Sequence, residues 1–472
     1  MTELTRRSFI QTGAASALAL STLKRLPAQM LSAEGRAWRC HLPLGYLLVQ
    51  QLSTYNASLY GAISTVAEAE QFFSTLKAAP EGKFVNGLEY QSLWFDANDM
   101  QAHEAIAQVG LAQNVDLWAS TYQLATKIPA FGTIPPEFLS SFIQPNGQIV
   151  PTNVNQGAVF DVLNPEAMDW FLEMFREQYF RPMKGLLSGL FFNEDVLQYE
   201  TSKPPNNVRF DYWENATYST RVLSLWRDYC RDHEISYNGK LVDKFPVHDP
   251  AMVANGGGLT AYFPGWNVPA IIDAGQAFVT LPRAEGVWRH WYDFVCGQFL
   301  KNWIGRLAHL ANDVNRNESI WKGVMYFGLH YWSLPYEEIE NPQFKLDSIQ
   351  EWGAWGRQRG VDLKELAAHK EVNIIVCETF PPVAANLDEF IGEWDRITER
   401  AHKTFGVMLD RDDSWALNLA EEQQRWALIR KYQPTVITRY PLERMLPTDP
   451  LYNQECEEFI VEQLEQYRRG DT

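Results

Sequence analysis

Eight short apolar runs of β-type residues alternate with longer segments of helical periodicity along this chain, and this alternation sets the narrowest limits on its fold. The runs are Leu44–Gln50, Phe84–Phe95, Val115–Tyr122, Leu186–Asn193, Gly323–His330, Val372–Glu378, Phe405–Asp410 and Thr435–Tyr440. The helical patterns are Thr65–Ala79, Asn98–Asn114, Pro165–Met183, Gly286–Asn317, Asp347–Lys370, Asp388–Lys403, Glu421–Tyr432 and a final amphipathic stretch, Asn453–Arg468. Parallel strands joined by crossover helices have this order. Eight such repeats predict a closed (β/α)8 barrel, the TIM barrel fold, whose active sites lie at the carboxyl ends of the strands.

Two connections are too long to be simple loops. Lys127–Asn164 follows the third run and is rich in Pro, Gly, Asn and Gln, and Tyr199–Glu285 follows the fourth. Connections of this length in a compact enzyme are usually functional segments or insertions. We therefore expect long insertions after strands three and four. No repeat or change in composition marks a second domain, so residues 34–472 are expected to form one barrel domain with the insertion 199–285.

The N-terminus has the pattern of an export signal. Arg6 and Arg7 precede a weakly apolar stretch, Thr12–Leu23, which ends at Lys24-Arg25. Adjacent arginines before a short apolar segment are typical of twin-arginine signals. We expect residues 1–33 to be such a signal, read by the twin-arginine export machinery, and the protein to be periplasmic or secreted. No later segment reaches 18 uninterrupted apolar residues, so we expect a soluble mature protein.

Composition narrows the class of partner. The net charge of −17 disfavours binding to a phosphate backbone, so no nucleic-acid partner is expected. The chain has 17 Trp, 20 Tyr and 26 Phe. Some of these side chains belong to the core, but 17 Trp is more than a core of this size normally needs, and flat apolar faces stack on sugar rings. Its five cysteines are scattered without metal or disulfide spacing, and Cys377 lies in an apolar run where a core role is expected.

The end of the fourth run carries the most specific chemical feature. Here Gly189–Phe192 is followed by Asn193, Glu194 and Asp195. A carboxyl group that leaves an apolar strand loses part of its hydration, which raises a carboxyl pKa and suits a general acid. Asn193 could donate to a substrate hydroxyl. A structural alternative is that Glu194 or Asp195 caps the next segment. The dipeptide alone is weak, because Asn317-Glu318 also occurs at an expected helix end.

Glycoside hydrolysis needs a second carboxylate opposite the first. Glu378 and Asp410 end later apolar runs, which are strands six and seven of the expected barrel, or seven and eight if an insertion contains another strand. Either acid could instead be a structural ion-pair partner. For Asp410, Arg411 and Arg439 are the candidate cations.

These motifs resemble clan A of the glycoside hydrolases, in which Asn-Glu ends strand four and a carboxylate ends strand seven. The resemblance is nearest to bacterial β-galactosidases of that clan. It includes Ser224–Tyr229, which is similar to a helix with an F-R-x-W-L-like core, and Val372–Pro381, which is similar to the sixth-strand segment. It implies that Glu194 is the acid/base and Asn193 its sugar-binding neighbour. The clan's nucleophile is a Glu on strand seven. Asp410 holds the aligned position, while Glu378 matches in type one strand early, so the nucleophile and retention stay open.

Side chains near other strand ends could form the sugar platform. Beyond Asn193, the candidate substrate-binding residues are Trp94, Asp96, Tyr122, His330, Trp332, Trp415 and Tyr440, with Trp118 beside Tyr122. Their recurrence at the same ends of so many strands favours a binding cleft. Trp288, Trp291, Tyr292 and Phe294 are instead expected to form a buried helix face.

Other chemistries lack a motif. The sequence has no phosphate-binding glycine loop, no dinucleotide fingerprint and no nucleophile elbow, so no cofactor is expected. His41, His248 and His330 are spread too far to predict a metal site. The sequence thus predicts an exported glycoside hydrolase that cleaves an oligosaccharide or glycoside with two carboxylates, and retention is the favoured outcome. A non-catalytic carbohydrate-binding barrel and a metal-dependent hydrolase or lyase are the alternatives.

Overall fold

The computed structural model contains a closed barrel of eight parallel strands. It describes residues 47–49, 63–91, 97–121, 134–138, 142–143, 149–150, 160–193, 219–246, 287–327, 360–379, 387–410, 418–440, 446–447, 449 and 451–469. The barrel strands are β1 Leu47–Val49, β2 Val85–Gln91, β3 Asp116–Ser120, β4 Gly189–Asn193, β5 Gly323–Phe327, β6 Ile374–Thr379, β7 Thr404–Asp410 and β8 Val436–Tyr440. β1 pairs with both β2 and β8, which closes the ring. The predicted TIM barrel is confirmed.

The strand count is confirmed as well. β4 pairs directly with β5, so no additional strand separates them in the barrel. Glu378 therefore belongs to strand six and Asp410 to strand seven, and the alternative count, with these acids on strands seven and eight, is wrong.

Helices follow the strands and surround the barrel. They are α1 Val66–Ala78, α2 Ala97–Ala112, α3 Pro165–Phe175, α4 Thr220–Asp232, α5 Val287–Phe299, α6 Arg306–Asn315, α7 Leu363–Ala368, α8 Leu387–Arg400, α9 Leu419–Tyr432 and α10 Gln454–Arg469. A π-helical turn, Arg176–Phe180, extends α3, and another, Leu300–Gly305, joins α5 to α6. In the described residues, no helix has both the length and the apolar character needed to cross a membrane.

Side-chain caps explain where several helices begin. Thr65 accepts a hydrogen bond from the Glu68 backbone while the Glu68 side chain accepts from the Thr65 backbone, which is a capping box at α1. Asn164 Oδ1 accepts from the amides of Glu166 (3.0 Å) and Ala167 (3.4 Å), as its position before Pro165 predicts.

The insertions are described only in part. The segment after β3 includes a two-stranded hairpin, Phe142–Ile143 with Ile149–Val150. Within 199–285, the structure describes α4 and a second hairpin, Ser236–Tyr237 with Lys240–Leu241. The first insertion is also described at 134–138 and 160–164, and the second throughout 219–246. The other residues of both insertions, and the N-terminal segment 1–33, lie outside the described residues.

The core consists of two apolar clusters, one inside the barrel and one between the strands and the surrounding helices. The interior cluster consists of Trp118, Phe191, Met325, Phe327, Ile374, Val376, Met408 and Val436. The residues between them on the strands, such as Leu190 and Ile375, pack in the outer core against the helices. Because side chains alternate along a strand, these two sets identify which positions share the interior parity. The expected buried face of α5 is confirmed for Trp291, Tyr292 and Phe294, which are 1–2% exposed.

Trp118 fills the middle of the barrel because β4 has no side chain at the facing position. A Cβ added at Gly189 would lie 2.1 Å from Cζ3 of the Trp118 indole. Trp118 is fully buried, so the expectation that it contacts sugar beside Tyr122 is wrong. The glycine creates the space and the indole occupies it, which removes this ring from the platform.

Candidate active site

The strand register places four strand ends in one layer at the carboxyl end of the barrel. In a TIM barrel, alternate strands contribute four side chains to each interior layer. Following the pairing from strand to strand puts Glu89, Phe191, Val376 and Thr438 in one such layer. The next positions of the same parity, two residues further along β2, β4, β6 and β8, are Gln91, Asn193, Glu378 and Tyr440.

Three of these four positions were predicted from the sequence, and the fourth, Gln91, was missed. Asp410 ends β7 and is the register partner of Tyr440, so it belongs to the same end of the barrel. The structure describes the backbone of Asn193, Glu378, Asp410 and Tyr440. Glu194 and the other predicted site residues, Trp94, Asp96, Tyr122, His330, Trp332 and Trp415, lie outside the described residues. Their roles stay predictions.

A buried carboxyl group lies directly beneath this layer. Glu89 is 0% exposed inside the barrel, and Ser120 on the neighbouring strand donates a hydrogen bond from Oγ to Glu89 Oε1. Ser120 is the register partner of both Gln91 and Phe191. Sequence reasoning missed Glu89, although it is the one acid within the apolar run Phe84–Phe95.

The end of β3 is joined to β4 beside this pair. The Thr121 amide donates to the Phe191 carbonyl at 3.0 Å, and the Thr121 hydroxyl donates to the same oxygen at 3.3 Å. The Phe191 ring stacks on Phe327 with 5.9 Å between centroids and 26° between planes. These contacts hold the last residues of β3, β4 and β5 together below the mouth.

The structure pairs Arg439 with Glu81. Arg439 Nε lies 3.1 Å from Glu81 Oε1, and the two side chains are 1% and 0% exposed. The Glu81 backbone amide also donates to Glu457 Oε1 on α10 at 3.2 Å. Arg439 has the outer parity of β8, so this ionic cluster ties the barrel to its last helix. One structural explanation for Asp410 is thereby weakened, whereas Arg411 lies outside the described residues.

The described cysteines have the properties of core residues. Cys230, Cys296, Cys377 and Cys456 are buried, which confirms the expectation for Cys377. Burial raises the pKa of Cys230 to about 12 and raises the pKa of Cys377 further. A thiol that stays protonated is a poor nucleophile. Within the described ranges, no three His, Cys, Asp or Glu side chains converge on a metal position, and His41, His248 and His330 lie outside those ranges.

A groove of about 690 Å³ lies in the helix layer, away from the strand ends. It runs between α3, the π-helical turn before α6, and α7. Glu371 in this groove accepts hydrogen bonds from His309 at 3.0 Å and from Asn312 at 2.9 Å. Burial favours the neutral form of Glu371, but these hydrogen bonds outweigh it and lower the pKa. The residues that line the groove are distinct from those at the barrel mouth.

Comparison with solved structures supports the fold. The catalytic domain of a β-amylase from Paenibacillus polymyxa aligns with 89% of this chain and 99% of its own length, with 10% identity and a TM-score of 0.51. Two endo-1,4-β-mannanases are also 10% identical: that of Rhizomucor miehei covers 90% of this chain and 95% of its own, with a TM-score of 0.45. That of Thermotoga petrophila covers 92% and 79%, with a TM-score of 0.44. No family model and no curated protein sequence matches the chain.

The β-amylase alignment spans nearly the whole of both chains, so this chain shares the barrel fold that its sequence motifs imply. At 10% identity the β-amylase likeness establishes the fold alone. The more specific resemblance to β-galactosidases stays a prediction.

Proposed function

We propose that this protein is a glycoside hydrolase that uses two carboxyl groups at the mouth of the barrel. The observation that supports the proposal is the register, which brings the ends of β4, β6 and β7, with Asn193, Glu378 and Asp410, to one end of a closed parallel barrel. Active sites of this fold lie at that end. The substrate is an oligosaccharide or another glycoside.

Glu194, which directly follows β4, protonates the departing glycosidic oxygen in this proposal, and Asn193 binds a sugar hydroxyl. The second carboxylate attacks the anomeric carbon or activates water. Retention needs about 5–5.5 Å between the two carboxyl groups and inversion about 6.5–9.5 Å. An NMR measurement of the first-formed anomer distinguishes the two outcomes.

Two observations favour different residues as the second carboxylate. Position 378 lies in the same layer as position 193, which supports Glu378. Asp410 ends the strand that carries the nucleophile in clan A, and its alternative partner Arg439 is bound to Glu81. Activity of Glu378→Gln and Asp410→Asn therefore separates them: the second carboxylate is the one whose loss abolishes turnover with every leaving group.

The acid assignment is tested with Glu194→Gln on a panel of aryl glycosides. Removal of a general acid costs about 10²–10⁴-fold in rate. The loss should be largest for poor leaving groups and small for an activated phenol, because a good leaving group departs without protonation. Glu318→Gln is the matched control, since it also alters an Asn-Glu dipeptide but follows α6 and pairs with Lys184 at 3.5 Å.

Full turnover by Glu194→Gln on a poor leaving group that the parent cleaves would remove the acid assignment. If the parent binds sugars but cleaves none of the panel, the non-catalytic barrel is the correct interpretation. If turnover depends on an added divalent metal and is lost with chelator, the metal-dependent alternative replaces this proposal.

We also propose that the protein is exported through the twin-arginine pathway to the periplasm or beyond. The supporting feature is Arg6-Arg7 before the apolar stretch Thr12–Leu23. A full-length chain with Arg6→Lys and Arg7→Lys should accumulate in the cytoplasm, while the parent is recovered from the periplasm or medium. Equal export of both chains contradicts this proposal.

A further inference from the structure

Glu89 is a carboxyl group buried inside the barrel, where its burial lowers the stability of the fold unless hydrogen bonds compensate. It is 0% exposed, and its layer also contains Phe191 and Val376, which are 1% and 0% exposed. Transfer of a carboxyl group from water into apolar surroundings is strongly unfavourable unless hydrogen bonds compensate. A buried acid one layer below the strand ends of a TIM barrel is therefore a candidate for function.

The hydrogen bond between Ser120 and Glu89 has a defined direction. The Ser120 hydroxyl has one proton, and it donates this proton to Glu89 Oε1. Its lone pairs are then the groups that it can offer elsewhere, so Ser120 acts as an acceptor towards any third partner. Glu89 thereby determines the hydrogen-bonding polarity of Ser120.

Ser120 lies close to the carboxyl end of the barrel, where its acceptor lone pairs could meet a donor. It is the last residue of β3, and its register partners are Gln91 on β2 and Phe191 on β4. Asn193, the end of β4, lies two residues beyond Phe191. Ser120 thus lies between the layer of Glu89 and the layer of positions 91 and 193.

We propose that Glu89 is a positioning residue of the active site, which acts through Ser120 by holding its hydroxyl as a hydrogen-bond acceptor beneath the end of β4. The donor that Ser120 accepts from is an N–H or O–H group at the mouth, such as an amide or a sugar hydroxyl. This inference rests on the proposed function.

The test is a double-mutant cycle with Glu89→Gln and Ser120→Ala. A glutamine amide can donate to the Ser120 oxygen, which frees the hydroxyl proton and reverses the polarity towards the mouth. We expect Glu89→Gln to lower kcat/KM by about 10–100-fold, the effect of one strong hydrogen bond. Because the effect passes through Ser120, the double variant should be no slower than the slower single variant.

Thr438→Val is the matched control. Thr438 is buried in the same layer, and its hydroxyl has no hydrogen-bond partner within the part of the chain that the structure describes. This variant should keep kcat, KM and the melting temperature close to those of the parent. A purely structural role for Glu89 predicts a different pattern, in which the melting temperature falls while kcat and KM stay constant.

The outcomes separate this inference from the proposed function. If Glu194→Gln loses activity while Ser120→Ala and Glu89→Gln retain it, the role of Glu89 is refuted and the glycosidase proposal stands. If Glu194→Gln is fully active, the proposed glycosidase mechanism is refuted, and the role of Glu89 that rests on it is refuted as well. Should Glu89→Gln fail to fold, Ser120→Ala decides alone, since unchanged kcat and KM in that variant overturn the inference.

Discussion

Replacement of Arg439 by Met should destabilise the fold strongly, because it leaves a buried carboxylate without its cation. Arg439 and Glu81 are 1% and 0% exposed and lie 3.1 Å apart, and Glu457, which is 1% exposed, accepts from the Glu81 amide. The long apolar Met side chain fills most of the space of Arg but cannot neutralise Glu81. Removal of one partner from a buried ion pair costs about 3–5 kcal/mol.

Urea denaturation followed by circular dichroism measures this loss as a lower midpoint. Lys184→Met is the matched control: its pair with Glu318 is 3.5 Å long, the side chains are 45% and 31% exposed, and we expect a loss below about 1 kcal/mol. Adding Glu81→Gln to Arg439→Met should recover about 2 kcal/mol, because it removes the uncompensated charge. A loss below about 1 kcal/mol in Arg439→Met would refute the assignment of this cluster as a buried ion pair.

Two further predictions concern the barrel interior and the helix layer. Gly189→Ala should lower the free energy of unfolding by at least about 1–3 kcal/mol, because the new Cβ would overlap the Trp118 indole. Gly297→Ala is the comparison: its Cβ would have open space, so this variant should stabilise α5 by about 0.5–1 kcal/mol. Thermal denaturation compares the two variants, and equal effects would contradict the packing described. Burial lowers the pKa of His103 from 6.5 to about 3. Between these two pH values His103 is protonated in the unfolded chain but neutral in the folded chain, so the free energy of unfolding decreases as the pH falls from 6.5 towards 3. His103→Gln should reduce the loss between pH 7 and pH 5 by about 2 kcal/mol, and an unchanged pH slope would argue against a neutral buried imidazole beside Tyr179.

The fold was predictable because each repeat contains its own signal. All eight apolar runs overlap a barrel strand, and the helix expected from Pro165 begins there, capped by Asn164. The π-helical turns were not predictable, since Arg176–Phe180 and Leu300–Gly305 keep the general apolar periodicity of the helices around them. The helix expected over Asp347–Lys370 is described only from residue 360, where α7 has six residues.

The sequence predicted which strand ends contribute to the site, but not which residues lie inside the barrel below those ends. Asn193, Glu378 and Asp410 stand out because each ends an apolar run, and the barrel brings those ends together. Trp118 and Glu89 were misjudged or missed for one reason. Barrel strands are buried on both faces, so alternation of polarity does not show which residues face inward or how deep they lie.

The strand register shows which residues face inward and how deep each one lies, and it reveals that the interior becomes more polar towards the carboxyl end of the barrel. The layer of Trp118 and Met325 is apolar, and Gly406 completes it on β7. One step towards the carboxyl end, Glu89 and Thr438 interrupt the apolar surface, and Ser120 follows in the next layer. The layer after that contains Gln91, Asn193, Glu378 and Tyr440, each of which can form hydrogen bonds. Polar groups thus accumulate towards the end of the barrel at which chemistry is proposed, while the indole of Trp118 closes the interior below them.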